Sequence, residues 1–209
     1  GDALTTGGGN VVIGHGAFSA EDTGSNHVAI GKSALAVLNI GGNSNVAIGL
    51  NSLAANVSGG NNTAIGTNTL AAQNTSGTAA DTHNTAVGNS AGASVTSGIS
   101  NTLIGSISGD AITTGTNNVA MGVSSLSTDT AGQFSVAIGA NALATQNFST
   151  STDVFNTAVG LSAGRLVTTG VNNTLLGGLS GDALTDADAN TAIGAYSLSA
   201  DTLGSQSVA

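Results

Sequence analysis

A five-residue word, cleanest as Asn45-Val46-Ala47-Ile48-Gly49, recurs along the whole chain and closes on Gly14, Gly31, Gly49, Gly66, Gly88, Gly105, Gly122, Gly139, Gly160, Gly177 and Gly194. A twelfth copy begins at Ser207-Val208-Ala209. Successive glycines stand 17 or 18 residues apart, except for steps of 22 from Gly66 to Gly88 and 21 from Gly139 to Gly160. Such self-similarity marks a repeat architecture in which each unit packs only on its neighbours. A longer period of 72 residues lies over the short one: Ser108-Gly109-Asp110-Ala111 returns as Ser180-Gly181-Asp182-Ala183. Four turns therefore form one higher unit, and residues 1–209 read as a single array.

Three residues before each glycine the chain carries Val or Thr, whose branched Cβ suits a strand. One residue before it stands Ile13, Ile30, Ile48, Ile65, Val87, Ile104, Met121, Ile138, Val159, Leu176 or Ile193. A strand period of two places these two rows on one face, which we expect to be the inner wall of each turn. The residue between them points the opposite way and is Ala29, Ala47, Ala64, Ala86, Ala120, Ala137, Ala158 or Ala192, otherwise Val12, Leu103 or Leu175. A strand apolar on both faces is covered on both, so the small, uniform Ala row is expected to be the oligomer interface.

After each glycine one of two patterns follows. Either a large apolar residue stands four positions on (Phe18, Leu35, Leu53, Leu70, Leu126, Leu143, Leu198), or Gly92, Gly109, Gly164 or Gly181 takes that place, with Val95, Ile112, Val167 or Leu184 three residues later. We expect a second strand here, with Ser, Asn, Thr and Gly at the corners. Asn precedes the Val/Thr position in nine complete copies, replaced by His27 and Ser135; stacked amides can hydrogen-bond from turn to turn and satisfy backbone groups. His27 then reads as a substituted structural residue, and His15 and His83 complete no metal-binding spacing. The extra residues of the long turns fall within 73–83 and 146–155 and are expected to bulge outward as loops, with Phe148 and Phe155 either packing the second loop down, the simpler reading, or offering a contact surface.

Composition agrees with a stacked coil. The chain has 32 Gly, no Pro, Cys or Trp, and only Phe18, Phe134, Phe148, Phe155 and Tyr196 as aromatics, too few large side chains for an ordinary globular core. Eleven acids face only Lys32 and Arg165, for a net charge of −9, which argues against binding a nucleic-acid backbone. The repeated acids read as solubilising, since a spacing of four turns holds like charges roughly 19 Å apart. No apolar run approaches the ~20 residues of a membrane span, so no membrane contact is expected of this segment. Because Gly1 to Gly7 copies Gly109 to Gly115 and the last word is incomplete, the chain reads as a segment of a longer fibre.

The run Asn45 to Gly49, followed by Ser52-Leu53-Ala54, resembles the head repeat of trimeric autotransporter adhesins of the YadA type, and similar arrays occur in bacteriophage tail-fibre shafts. The resemblance covers all twelve copies. It implies a left-handed parallel β-roll of about twelve turns, three rolls packed about a common axis, an extracellular, cell-surface or virion location, and a host-surface or matrix ligand. By similarity the Ala47 row would face neighbouring subunits and the Val46/Ile48 row the interior of its own roll.

Enzymatic readings are disfavoured. Glycoside hydrolysis needs two facing carboxylates and lyase chemistry a base with cationic helpers, whereas Lys32 and Arg165 stand many turns apart and the acids sit at equivalent corners. Gly7-Gly8-Gly9 and Gly59-Gly60 lack the Asp of calcium-binding nonapeptides. The expectation is therefore an all-β parallel β-solenoid forming a stiff homotrimeric rod, without cofactor or metal. A monomeric binding solenoid, such as an ice-binding or carbohydrate-binding module, is the alternative; Thr residues on the inner wall count against ice.

Overall fold

The computed structural model describes residues 6–20, 23–38, 42–75 and 80–209; the copy of Gly109 to Gly115 at the start of the chain lies largely outside them, as do residues 76–79 of the first long turn. The chain is an all-β parallel solenoid. Eleven strands of three residues, from Val11–Ile13 to Thr191–Ile193, form one sheet in strict sequential order. Each word pairs with the next in register, so that Val46, Ala47 and Ile48 lie beside Thr63, Ala64 and Ile65. The twelfth copy joins through a single bridge from Thr191 to Val208. Two short parallel pairs, Gly59–Gly60 with Ala80–Asp81 and Gly132–Gln133 with Thr152–Asp153, arise at the long turns.

The column of closing glycines is a packing requirement. Gly31 has φ +133°, and a Cβ there would stand 2.5 Å from the carbonyl oxygen of Gly49. Both the left-handed backbone and the approach of the next turn exclude a side chain.

The segment after the glycine is a turn and not the expected strand. Its second and fourth residues are left-handed, as in Asn51 (φ 55°) with Leu53 (φ 50°) and Ser124 (φ 56°) with Leu126 (φ 50°). Inter-turn bonding nevertheless continues through it: the Leu35 amide donates to the Ser52 carbonyl at 2.9 Å and the Leu53 amide to that of Thr69 at 3.0 Å. The turns are thus stitched together outside the strands as well. A left-handed Leu costs about 1–2 kcal/mol, and burying its side chain returns about 2 kcal/mol, so burial sustains the conformation. Leu35, Leu53, Leu70, Leu126 and Leu143 are fully buried.

These side chains fill the interior from the wall opposite the sheet, and this reverses the expected facing of the strands. Ala29, Ala47, Ala64, Ala86, Ala120, Ala137, Ala158 and Ala192 are all 0% exposed within the single chain and belong to one cluster with the leucines. The Ala row is the interior wall and is not a surface that a second copy could cover. The Val/Thr and Ile/Val rows face outward. The interior between sheet and leucines has room for a methyl group and little more.

The exceptions obey the same limit. Where the turn position is Gly92 or Gly109, a Cβ would meet Leu103 Cδ atoms at 2.7 Å; where it is Gly164 or Gly181, it would meet Leu175 Cδ atoms at 2.7 Å. A leucine in the Ala row thus occupies the space that two glycines in adjacent turns leave empty. Ala opposite Leu and Leu opposite Gly are two ways of filling one cross-section to native density.

Two substitutions test this packing by denaturant unfolding. Leu103→Ala leaves a void facing Gly92 and Gly109 and is expected to cost about 3–4 kcal/mol. Gly105→Ala, with φ +134° and a Cβ 2.5 Å from the Gly122 carbonyl oxygen, is expected to cost roughly 3 kcal/mol or more. Loss of less than about 1 kcal/mol in either would contradict the assigned interior.

Candidate functional site

The polar residues of the interior show which polar groups the fold consumes. Asn45 is fully buried. Its Oδ1 accepts the Asn62 amide at 3.0 Å and the Asn62 Nδ2 at 3.1 Å, while its own Nδ2 donates to the Gly59 carbonyl at 2.9 Å. Asn84, Asn101 and Asn118 repeat the pattern, with each Oδ1 taking the next turn's backbone N–H at 2.9–3.0 Å. The expected amide ladder is therefore present, and it satisfies backbone groups that the sheet leaves unpaired. His27 occupies one rung: its Nδ1 accepts the Asn45 amide at 3.2 Å and its ring lies 4.9 Å from that of Phe18. His15 and His83 are exposed.

The long turns do not simply bulge. Residues 149–151 are exposed, but Gln73 and Gln146 turn inward and are fully buried. Gln146 Nε2 donates to Ser135 Oγ at 2.9 Å and to Asp129 Oδ2 at 2.6 Å, and its Oε1 accepts from Asn156 Nδ2 at 2.9 Å. The glutamine thus replaces the amide missing at Ser135 and widens the polar interior by one side chain. Asp129, expected to be a solvated acid, is instead fully buried; its Oδ1 accepts the amides of Gly132 at 3.1 Å and Phe148 at 3.0 Å. A carboxylate with three donors is tolerated where a bare one would not be.

The outer sheet face is a continuous surface along the rod. Its two rows run in register along eleven strands, and no acid or base stands in either. Exposure of large apolar side chains persists from Ile13 (59%) through Met121 (37%) to Ile193 (62%). The position following the glycine extends the patch with Leu50, Val123 and Leu161, all exposed. Ten steps of ~4.8 Å make the face about 48 Å long, and rows some 7 Å apart with their flanks give roughly 600 Å². That equals or exceeds the largest apolar patch of an ordinary monomer.

The outward direction of the first row also brings Thr63, Thr85 and Thr102, and again Thr157, Thr174 and Thr191, to the surface in adjacent turns. The objection to ice binding from inner-wall threonines therefore does not hold. Of the two phenylalanines expected to offer contacts, Phe148 is partly buried and its carbonyl accepts the Ala131 amide at 2.9 Å. Phe155 is exposed and stacks on Phe134, with ring centroids 5.2 Å apart and planes 10° from parallel. Phe134, which the sequence reading passed over, shares with Phe155 the fifth position before a closing glycine, and that common position was the available signal.

Among the described residues no three of His, Cys, Asp and Glu converge as a metal site would require, and none forms a helix long and apolar enough to cross a membrane. No protein-family model, curated protein or solved structure matches the chain. Fold and surface together define a rigid, repetitive β-solenoid scaffold with one long apolar face.

One ionisable group is at odds with its surroundings. Burial pushes the Asp110 carboxyl above its usual range, against a smaller lowering by a backbone hydrogen bond, and its Oδ1 has no hydrogen-bond partner. A folded-state value above the unfolded one means that stability from this group is lost as pH rises through the shifted value. Asp110→Asn is expected to raise the Tm at pH 7, with the gain vanishing as the pH falls into the ordinary carboxylate range; an equal gain at both pH values would contradict this origin.

Proposed function

We propose that the chain is a segment of a homotrimeric fibre or adhesin head, a stiff rod whose copies associate through the outward Val/Thr and Ile/Val rows. The observation that carries the reading is an uncharged outward face, of Val or Thr beside a large apolar residue and half-buried to exposed, continuing along all eleven strands. A partner that covers such a face must present the same ~4.8 Å ladder over the same length, and a second copy does so by construction. In a ring of three each chain divides its face between two neighbours, and the three faces of roughly 600 Å² together bury about 1,800 Å², within the size range of a stable interface. The resemblance of Asn45 to Gly49 and Ser52-Leu53-Ala54 to adhesin heads and tail-fibre shafts supports three copies, an extracellular or virion setting, and a host-surface or matrix ligand. Inter-turn bonding outside the strands as well as within them suits a spacer or load-bearing filament.

The outward threonines favour a second reading, a monomeric ice-binding solenoid, because two runs of three adjacent turns present hydroxyl and methyl groups at regular spacing. Thermal hysteresis from a monomeric protein would establish it in place of the fibre.

Sedimentation and light scattering are expected to give about three times 19.7 kDa. Ile138→Asp, on the outward row, is expected to release folded monomers with unchanged β-sheet circular dichroism, whereas Ala137→Asp, one residue away, places a charge in the interior and unfolds the chain. A monomeric parent protein, or folded monomers from both variants, would refute the fibre and the assigned facing respectively.

A further inference from the structure

The outward rows repeat every turn, so two copies fit each other nearly as well at any whole-turn displacement, and register must come from features that do not repeat. The long turns, Gly66 to Gly88 and Gly139 to Gly160, oppose most slips. They do not oppose a slip of four turns, about 19 Å, which lays one long turn against the other. The 72-residue period makes this slip the main competitor to correct assembly. Its unpaired ends would recruit further copies, producing an open staggered filament instead of a closed ring of three.

What distinguishes the two arrangements stands on the flanks of the outer face. The corner column, two residues before the Val/Thr row, holds Asn26, Ser44, Asn61, Ser100, Asn117 and Asn172 in left-handed backbone with φ between 57° and 63°, a region that suits Asn and disfavours bulky residues. At φ 60° and 52° the same column instead carries Phe134 and Phe155, stacked on each other and still 38% and 51% exposed. Four turns earlier those places belong to Asn61 and His83. The opposite flank, directly after the closing glycine, changes in step. Beside the aromatic pair it carries Ala140 and Leu161, the latter 59% exposed, and four turns earlier Thr67 and Asn89. Both flanks are therefore apolar at the second long turn and polar at the first.

In a ring of identical chains one flank of each copy meets the other flank of its neighbour. We infer that the Phe134–Phe155 pair of one chain seats on Ala140 and Leu161 of the next copy and acts as a register key, selecting the in-register trimer over the four-turn slip. The inference rests on the trimeric reading above. It accounts for two aromatic rings held in a disfavoured backbone conformation at the surface, and the slipped arrangement would set those rings against Thr67 and Asn89.

The chain has no cysteine, so register can be read by oxidation of two introduced pairs. Asn172→Cys with Gly178→Cys reports the in-register contact, since both belong to the same turn and a Cβ at Gly178 has no atom nearer than 4.0 Å. Asn172→Cys with Ser106→Cys reports the four-turn slip. In the parent background only the first pair is expected to form inter-chain disulfides efficiently. Phe134→Asn with Phe155→His restores the residues found four turns earlier and suits the left-handed backbone, so folding is retained, as circular dichroism will verify. In that background the ratio of in-register to slipped cross-links is expected to fall by at least about tenfold, as loss of two aromatic anchors implies, and larger species to appear in sedimentation. A trimeric parent whose cross-link ratio is unmoved by the double substitution would overturn the register key and leave the trimer standing. A monomeric parent that forms neither cross-link would overturn both.

Discussion

The structure depends on one contact: the approach of each turn's backbone to the next at ladder distance, around the glycine corner as well as within the strand. At Gly31 the following turn comes so close that no side chain fits, and the hydrogen bonds on either side of that corner run from every turn to the next. Once turns are held that close and in register, each position becomes a column of equivalent residues. A side chain that suits one turn must then suit its neighbours above and below, and this is why the sequence is repetitive to the level of single positions.

The interior that results is narrow and filled from two sides. Left-handed leucines enter from one wall and alanine methyls from the other, and where the first are replaced by glycine the second are enlarged at Leu103 and Leu175. Polar groups inside follow the same economy of space. The asparagine ladder supplies donors and acceptors once per turn, Gln146 takes over at the turn where Ser135 lacks an amide, and Asp129 is held by three donors. With the interior closed in this way, the outer sheet face is left as a continuous uncharged surface.

Much of this organisation is legible in the residues alone. The glycine spacing yields a parallel solenoid with in-register strands, the recurrent Asn yields the amide ladder, and the absence of bulky residues excludes a conventional core. The facing of the strands was not legible. Ala47 lies between Val46 and Ile48 and all three are apolar, so no polar residue marks the wet side, and assigning the larger side chains to the interior inverted the sheet. The second expected strand failed for a related reason: Leu53 and Leu126 are poor residues for left-handed backbone, and nothing local announces that they adopt it. Gln73 and Gln146 likewise read as loop residues because the buried polar partners they meet lie in adjacent turns.

The sequence by itself determined the period, the parallel stacking, the columns and their chemistry, because these follow from repetition and from backbone geometry that each word carries locally. Only the tertiary structure decided which column faces in. That choice turns on volume across the cross-section, where a leucine from the opposite wall leaves space for a methyl group, and such a fit between residues from different parts of a turn has no trace in the alternation of a three-residue strand.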